Sequence, residues 1–492
     1  MLEHYRQEFT SFNISLNRTK YLCLSGQKVT FPTIEIYDRY SDLFSLETIN
    51  SLKKTLSEIT EYYQTSRKAI AQLIAFASEQ YLNLKVKNLT QEIITAENSL
   101  HIEWADQKIP LRNVNSLLVN EPNTQKRKEI YRKKLSVLSS LNDLRAERVE
   151  KLHGFSKELG YENYLQMFSR LNQVDYVELD SKLQRFLADT EKLYTINLKR
   201  YLSVNLKLPL ELATSADILA FTQRESSFFP AKAIVPTYQE TLLGLGVRPS
   251  QNNLFIDKEI RPGKHFGTFC LPISIPEEIK IVFQPNNGIK EYELFFQAIG
   301  KSEHFVFTNK NLLPEFKYCG DSGLTESYGF LFRHLTNNPF WLEQMLDEKG
   351  SSELQTANLL TRLYLIRRYI AKLNYEIDLH SKGLASAASF YSSQISNATL
   401  FETDSAEYLN DYLDSFYVVN YLRALLFEAI FRDYLKTHFG HKWWQNRKAG
   451  NLLKEMWEVG TRYSIEEFSQ QLGLGELIIE PLEAEFFTNL RT

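Results

Sequence analysis

A helical repeat pattern runs through most of the chain and is the feature that most limits its fold. In "FSLETINSLKKTLSEITEYYQTSRKAIAQLIAFASEQYLNLKV" and "TQKRKEIYRKKLSVLSSLNDLRAERVEKLHGFSKELG", apolar residues return every three or four positions among charged ones. One buried face of a helix requires this spacing. Glycine (19) and proline (14) make up about one residue in fifteen, against roughly one in eight on average, so few positions interrupt helices. We expect a mainly α-helical protein.

The helical pattern is broken at two places that suggest an organisation. It weakens in "SVNLKLPLELATSAD", which predicts a boundary between an N-terminal helical lobe, residues 1–205, and a second lobe, residues 206–492, packed as one unit. Between about 253 and 285, "HFGTFCLPISI" and "EIKIVFQP" form the only convincing β region, with a turn at "PNNG". A long helix is expected from about Ile289, and another helix from about Leu324.

Charge and cysteine usage exclude several classes of protein. The chain has 57 basic and 60 acidic residues, net charge −3, and shows no basic stripe, so we expect neither nucleic acid nor membrane as a partner. Its three cysteines, Cys23, Cys270 and Cys319, lack the spacing of a zinc ribbon or a disulfide framework. With no export signal and no long apolar window in the sequence, a cytoplasmic location is expected.

The stretch "EYELFFQAIGKSEHFVF" places polar residues where a zinc peptidase has ligands. On a helix, Gln297 and Lys301 lie one turn apart on one face, with His304 one turn further along. Zinc hydrolases with H-E-x-x-H place two histidines at this spacing and a general-base glutamate beside the first. A third ligand is often a glutamate of a following helix, the position that Glu326 occupies here.

Several stretches, in order and over most of the chain, resemble the thimet oligopeptidase and oligoendopeptidase F family of zinc metallopeptidases, especially its shorter bacterial members. They are "LNRTKYLCLSGQ", "IYDRYSDLFS", "ELGYENYLQMF", "RPGKHFGTFCLPISIPEEIKIVFQPNNGIKEYELFF", "GDSGLTESYGFLFRHL" and "SFYVVNYLRALLFEA". The resemblance implies a thimet-oligopeptidase-like fold, with two helical lobes around a deep channel and a small β-sheet beside the active-site helix. It also implies zinc in the active relatives.

The zinc motif of the family is degenerate in this chain. Where a relative would read H-E-x-G-H-x-x-H-F, Gln297 stands for the first histidine, Ala298 for the general base and Lys301 for the second histidine. The third ligand is retained as Glu326. An ammonium has no lone pair for a metal, a glutamine carbonyl is a poor substitute for imidazole, and alanine cannot accept a proton. No metal or other cofactor is therefore expected.

The same substitutions predict a new ion pair. Without a metal, Glu326 would be a buried carboxylate lacking a counter-charge, which is a costly arrangement. We predict that the ammonium of Lys301 pairs with Glu326, with Gln297 adding a hydrogen bond.

Two neighbouring residues leave alternatives open. His304 is a candidate binding residue, but a structural histidine that holds the helix to its surroundings is the favoured alternative. A relocated metal site from Glu303, His304 and Glu326 is disfavoured, because Glu303 points away from the ligand face.

Family members bind substrate through tyrosines of the C-terminal helices, and Tyr417 and Tyr421 match those positions. With Arg423 they are candidate substrate-binding residues, although a core or channel-wall role for the tyrosines is an equal alternative. Cys270 has no histidine partner in a nucleophile motif and is interpreted as a packing residue.

We interpret the chain as a pseudoenzyme, an inactive homologue of a zinc oligopeptidase whose channel binds peptides or an unknown protein partner. One alternative is an active metal-dependent oligopeptidase with non-standard ligands, or another reaction in the same channel. Another is a purely structural or assembly protein with a closed channel.

Overall fold

The structure, a computed structural model, describes residues 2–28, 32–223, 229–249, 253–347 and 352–490. The chain is mostly helical (72%) with small sheets, which confirms the expected mainly α-helical fold. No helix in the described ranges is long and apolar enough to cross a bilayer.

The helices follow one another with short connections. Within the described residues they are α1 (Leu2–Leu24), α2 (Thr33–Arg39), α3 (Leu46–Glu58), α4 (Gln64–Ser99), α5 (Leu111–Asn120), α6 (Thr124–Ser139), α7 (Asn142–Glu158), α8 (Tyr164–Asn172), α9 (Tyr176–Tyr201), α10 (Ile218–Thr222), α11 (Ile234–Gly244), α12 (Ile289–Phe307), α13 (Glu315–Tyr318), α14 (Ser322–Leu335), α15 (Pro339–Leu346), α16 (Ser352–Lys382), α17 (Ala387–Thr399), α18 (Tyr417–Phe439), α19 (Arg447–Glu458), α20 (Ile465–Gln471) and α21 (Glu480–Asn489).

Polar side chains fix where several of these helices begin. Asn163 accepts a hydrogen bond from the backbone N–H of Gln166 at the start of α8, and Asp321 accepts one from Gly323 at the start of α14. Such caps satisfy N–H groups that the first turn leaves without a helical partner. The cap at Asp321 fixes the start of α14, the helix that carries Glu326.

Residues 253–285 form a three-stranded sheet, as the sequence predicts. A hairpin of β1 (His101–Trp104) and β2 (Gln107–Pro110) comes earlier in the chain. Strands β3 (Leu254–Asp257), β4 (Phe269–Ser274) and β5 (Glu278–Val282) lie in the order β3-β5-β4, with β3 parallel and β4 antiparallel to β5. The predicted sheet beside the helix of Gln297 is confirmed, because Ser302 of α12 donates a hydrogen bond to the Cys270 sulfur of β4 at 3.2 Å.

The expectation that this is the only β region is wrong. Strands β1 (His101–Trp104) and β2 (Gln107–Pro110) form an antiparallel hairpin inside the segment predicted to be entirely helical. Its two turn residues, Ala105 and Asp106, have φ values of 49° and 63°. Turns of this kind usually carry asparagine or glycine, so "WADQ" gave no hairpin signature.

By its backbone contacts the chain divides into two compact units. Unit 1 comprises Met1–Ser78, Arg224–Gln355 and Arg423–Leu482, and unit 2 comprises Glu79–Gln223, Thr356–Leu422 and Glu483–Thr492. The division points differ from the predicted boundary near residue 205. That boundary, and the deep channel between two lobes, stay predictions.

Unit 1 has a large apolar core around α12. One side of the helix contacts β4 and β5, and another contacts α14 and α19. Phe295, Phe296 and Ile299 are fully buried within this core. The apolar residues of the stretch "EYELFFQAIGKSEHFVF" therefore anchor α12, and its remaining face carries the polar residues at 297 and 301.

Candidate functional site

Two glycines bring α12 and α14 into backbone contact. A Cβ atom added to Gly300 would lie 2.1 Å from the carbonyl oxygen of Tyr328, and one added to Gly329 would lie 3.0 Å from that of Gln297. Real Cβ atoms do not approach oxygen as closely as 2.1 Å, so Gly300 in particular permits this packing. The close approach places Lys301 of α12 within reach of Glu326 of α14.

Lys301 and Glu326 form the predicted ion pair. The Lys301 Nζ atom lies 2.6 Å from Glu326 Oε1, and the two side chains are 25% and 1% exposed. Gln297 Nε2 donates a longer hydrogen bond, 3.4 Å, to the other carboxylate oxygen. Both parts of the prediction are confirmed.

The charge of Lys301 is stabilised in this pair. Burial alone would lower the pKa of its ammonium, but the Glu326 carboxylate and, more weakly, the Cys270 thiol act in the opposite direction, and the net pKa is raised. The lysine is therefore a cation at neutral pH and offers donors only.

A polar network that the sequence interpretation missed extends the ion pair along both helices. Arg333 donates to the Gln297 Oε1 atom at 3.2 Å and to Glu293 Oε2 at 2.8 Å, and Asn337 donates to Glu293 Oε1 at 3.3 Å. Arg333 lies two helical turns after Glu326, and Glu293 lies one turn before Gln297. This spacing was visible in the sequence and could have identified both residues.

Zinc, which the resemblance implies, does not fit these donors. The ammonium of Lys301 points at the one carboxylate, at 2.6 Å, and the carbonyl oxygen of Gln297 already accepts from the Arg333 guanidinium. Two cations thus flank the position of a dication, where imidazole or thiolate ligands are needed. In the described ranges, no three His, Cys, Asp or Glu side chains form a group that could hold a metal.

Position 298 offers no base for a proton transfer. Ala298 is buried, 4% exposed, and belongs to the apolar core of unit 1. At the position where the resemblance implies a general-base glutamate, the chain therefore has a packing methyl group.

His304 and Glu303 lie beyond the ion pair and face different neighbours. His304 is fully buried, and its Nδ1 atom lies 3.0 Å from the hydroxyl of Thr325. Burial lowers its pKa to about 4, against a smaller opposite effect of the Gly460 backbone. This position favours the structural alternative over ligand contact.

Glu303 is also fully buried and accepts a hydrogen bond from the Tyr238 hydroxyl at 3.0 Å. Burial raises the pKa of its carboxyl to about 7, although the Tyr238 hydrogen bond acts to lower it. Since Glu303 faces α11 and Glu326 faces Lys301, the geometry disfavours a relocated metal site of these residues.

Cys270 is a half-buried packing thiol near the ion pair. Burial raises its pKa to about 11, although Lys301 and Ser302 act to lower it. A thiol that stays protonated is a poor nucleophile, which agrees with the packing interpretation.

Arg423 is engaged by two carboxylates of unit 1. Its guanidinium lies 2.7 Å from Asp321 Oδ2 and 2.5 Å from Glu466 Oε2, and its side chain is 3% exposed. Burial acts to lower the pKa of the guanidinium, but the two carboxylates have the larger effect, and the net pKa is raised. Arg423 thus links the N-cap of α14 to α20, and its predicted role in substrate binding finds no exposed donor here.

Tyr417 and Tyr421 stand in the first turns of α18 and are half-buried within unit 2. Their ring centroids are 5.2 Å apart at 84°, and Tyr421 stacks on Tyr369 of α16 at 5.4 Å and 29°. We call Tyr369, Tyr417 and Tyr421 the tyrosine row. Tyr369 was missed because nothing in its local sequence marks it. The predicted role in binding stays a prediction.

Comparison with known proteins supports the fold and goes no further. No family model matches the chain, and neither does any curated protein. The solved structure of PZ peptidase A with inhibitor 2 is similar, with a TM-score of 0.65 and 14% identity over 92% of this chain and 87% of that chain. At this identity the likeness concerns the fold alone, and we conclude that the chain has a helical fold of the kind seen in PZ peptidase A.

Proposed function

We propose that this protein is an inactive homologue of a zinc oligopeptidase that binds peptides or a protein partner in a retained channel and does not hydrolyse them. The observation that carries the proposal is the position of the Lys301 ammonium, 2.6 Å from the buried Glu326 carboxylate. Under the resemblance, this ammonium takes the place of the metal that the active relatives bind. Location in the cytoplasm and absence of nucleic-acid partners belong to the same proposal.

A protein can bind peptides without hydrolysing them, because peptide binding and peptide hydrolysis depend on different residues. Hydrolysis needs the metal, its water and a base, and positions 297, 298 and 301 supply none of these. Peptide contact in the relatives depends on tyrosines, and Tyr417 and Tyr421, which match those positions, are half-buried and partly accessible. The degenerate motif therefore removes the reaction without removing the contact residues.

The rival enzyme hypothesis needs ligands other than those of the family. It is less well supported because Glu326, the one retained ligand, is already paired, and because Gln297 is oriented by Arg333. Both contacts would have to break before a metal could bind there. The structural or assembly alternative makes a separate prediction, that no peptide binds.

The test combines metal content with cleavage and binding. Purified protein is examined by elemental analysis, and a mixed peptide library is incubated with it, with and without added zinc. We expect substoichiometric zinc and no cleavage, together with retention of peptides from a random nonapeptide mixture in an affinity selection. Stoichiometric zinc with chelator-sensitive cleavage would overturn the pseudoenzyme proposal, and failure to retain any peptide would favour the structural alternative.

A triple variant provides the matched control. Gln297→His, Ala298→Glu and Lys301→His together restore the H-E-x-G-H pattern on the same scaffold and free Glu326 for a metal. We expect this variant to take up about one zinc per chain, whereas the parent does not. Zinc uptake by the variant alone would show that these positions, and no wider change, exclude the metal.

A further inference from the structure

The segment 411–416 of unit 2, directly before α18, has an unusual backbone. Ser415 and Phe416 have φ values of 60° and 53°, in the left-handed region that residues other than glycine rarely adopt. Such a conformation persists only where the surroundings hold it in place. The contacts around the segment show what holds it.

Arg148 of α7 is hydrogen-bonded to two residues of the segment. Its guanidinium donates two hydrogen bonds to the carboxylate of Asp414, at 3.0 and 2.6 Å, and one to the Tyr412 hydroxyl at 2.8 Å. The backbone N–H of Leu413 donates to Glu376 of α16 at 2.8 Å. A bidentate pair of this kind fixes orientation as well as distance.

Ser415 is held through both its backbone and its side chain. Its N–H donates to the Tyr164 hydroxyl at 3.0 Å, and its hydroxyl donates to Glu79 at 2.6 Å. The neighbouring ring of Phe416 is fully buried, with the rings of Tyr176 and His380 each 5.0 Å away. Five helices, namely α4, α7, α8, α9 and α16, thereby hold one short irregular segment of unit 2 in place.

The next residue in the chain is Tyr417, the first member of the tyrosine row. An α-helix is stiff over one turn, so the direction in which the segment enters α18 sets the positions of both Tyr417 and Tyr421. On the other side, the ring of Tyr369 stacks on that of Tyr421. The row is therefore fixed at two points, by the segment and by Tyr369.

We propose that the segment 411–416 is a rigid platform which, with Tyr369, presets Tyr417 and Tyr421 to contact the backbone and apolar side chains of a bound peptide. Asp414 and Tyr369 are the positioning residues. Half-buried tyrosines suit this ligand because each offers an apolar ring with a polar tip. The inference rests on the proposed function and names the residues that orient its contact surface.

The experiment uses one fluorescein-labelled nonapeptide recovered in the affinity selection described above. Its affinity is measured for the parent and for Asp414→Asn, Tyr369→Ala and Tyr369→Phe, with Tyr62→Ala as the control, since Tyr62 is 87% exposed in unit 1. We expect about tenfold weaker binding, equal to ~1.4 kcal/mol, for Asp414→Asn and Tyr369→Ala. The conservative Tyr369→Phe and the control should bind as the parent does.

Hydrogen exchange of the same variants separates positioning from general destabilisation. Asp414→Asn should speed exchange of the amides of residues 411–421 while the rest of unit 2 exchanges at the parent rate. Uniformly faster exchange, equal losses for Tyr369→Phe and Tyr369→Ala, or unchanged binding by Asp414→Asn would each overturn the inference while leaving the proposed function intact. If the selection recovers no peptide, the peptide-binding part of the proposed function fails, and this inference fails with it.

Discussion

Two carboxyl groups, Glu326 in unit 1 and Glu376 in unit 2, are both buried, but the free-energy cost of burial is offset in different ways. Both are on helices, at 1% and 0% exposure. Glu326 has an ammonium at 2.6 Å, whereas Glu376 accepts a hydrogen bond from a backbone N–H. Burial raises the pKa of Glu376 to about 8, although Lys372 and the Leu413 N–H act to lower it.

The difference shows that burial of an acid does not by itself predict its charge. Glu376 carries a proton at neutral pH, because the effect of burial on its pKa exceeds the attraction of Lys372, which also pairs with Asp411 at 3.4 Å. Lys301 serves Glu326 alone among the described ion pairs. Removal of the cation should destabilise a buried carboxylate that is stabilised by an ion pair, whereas a change of pH should affect a buried carboxyl group that is neutralised by a proton.

The first way to break the comparison is to remove the cation. Lys301→Ala removes the ammonium that pairs with the buried Glu326, and we expect a loss of about 3 kcal/mol of unfolding free energy, the lower end of the range for a buried pair because Lys301 is partly exposed. Chemical denaturation measures the loss. The double variant Lys301→Met with Glu326→Gln should recover most of it.

The matched control for that loss is the exposed pair of Lys151 with Glu147, which has side chains 46% and 49% exposed. Lys151→Ala should cost less than about 0.5 kcal/mol. If Lys301→Ala is as mild as Lys151→Ala, the ion pair does not compensate for the burial of Glu326.

A second variant tests the helix contact that makes the ion pair possible. Gly300→Ala places a methyl group 2.1 Å from the Tyr328 carbonyl oxygen, so α12 and α14 must separate. We expect a loss of about 2 kcal/mol, as for other overpacked cores, measured by thermal and chemical unfolding.

Gly154→Ala is the natural comparison for this variant, since no atom lies within 4 Å of the added methyl group in α7. The Gly154→Ala substitution should be neutral or should stabilise the fold by about 0.5 kcal/mol, because alanine favours a helix. Equal effects at Gly300 and Gly154 would contradict the tight contact.

A third prediction concerns pH and the proton on Glu376. Its folded pKa of about 8 lies above the unfolded value of about 4.3. The folded chain therefore keeps a proton that the unfolded chain releases, and stability from this group, fully present below the lower pKa, is lost as pH rises toward the higher one. Glu376→Gln removes this dependence and keeps an acceptor for the Leu413 N–H.

Between pH 6 and pH 7, the stability of Glu376→Gln relative to the parent should rise by about 1.4 kcal/mol, the value of one pH unit for one proton. Unfolding curves at the two pH values give this difference, and the exposed Glu147→Gln should show no such change. A constant difference would mean that Glu376 is ionised, and the contrast with Glu326 would disappear.

The smallest effect is expected where the network reaches solvent. Arg333→Lys loses the planar fork that joins Gln297 and Glu293. Because Arg333 is 18% exposed and Glu293 is 16% exposed, we expect a cost of about 0.5 to 1 kcal/mol. A cost as large as that of Lys301→Ala would show that Arg333 also contributes to the burial of Glu326.

The sequence predicted the helical class, the sheet at 253–285 and the ion pair, because each depends on local pattern or on the charge of named residues. The pairing of Lys301 with Glu326 was predicted from charge, because a buried carboxylate without a metal requires another cation. The hairpin at 101–110 was missed, since its turn uses Ala105 and Asp106 at positive φ, a choice that propensity does not favour.

The tyrosine row and the platform could not be predicted in full for another reason. Stacking of Tyr369 on Tyr421 joins two helices distant in sequence, and only tertiary packing decides such a contact. The left-handed backbone at Ser415 and Phe416 is likewise imposed by surrounding helices, against the preference of the residues themselves.

The glycine contact between α12 and α14 also means that the docking of these helices and the charge balance of Glu326 are separate matters. Backbone packing at Gly300 holds the two helices together by close contact, so the side chains at 297 and 301 can be exchanged without separating the helices. The charge sets the remaining condition, because a buried carboxylate at 326 requires a cation beside it. This face of α12 can therefore accommodate different chemistry as long as a positive charge accompanies Glu326.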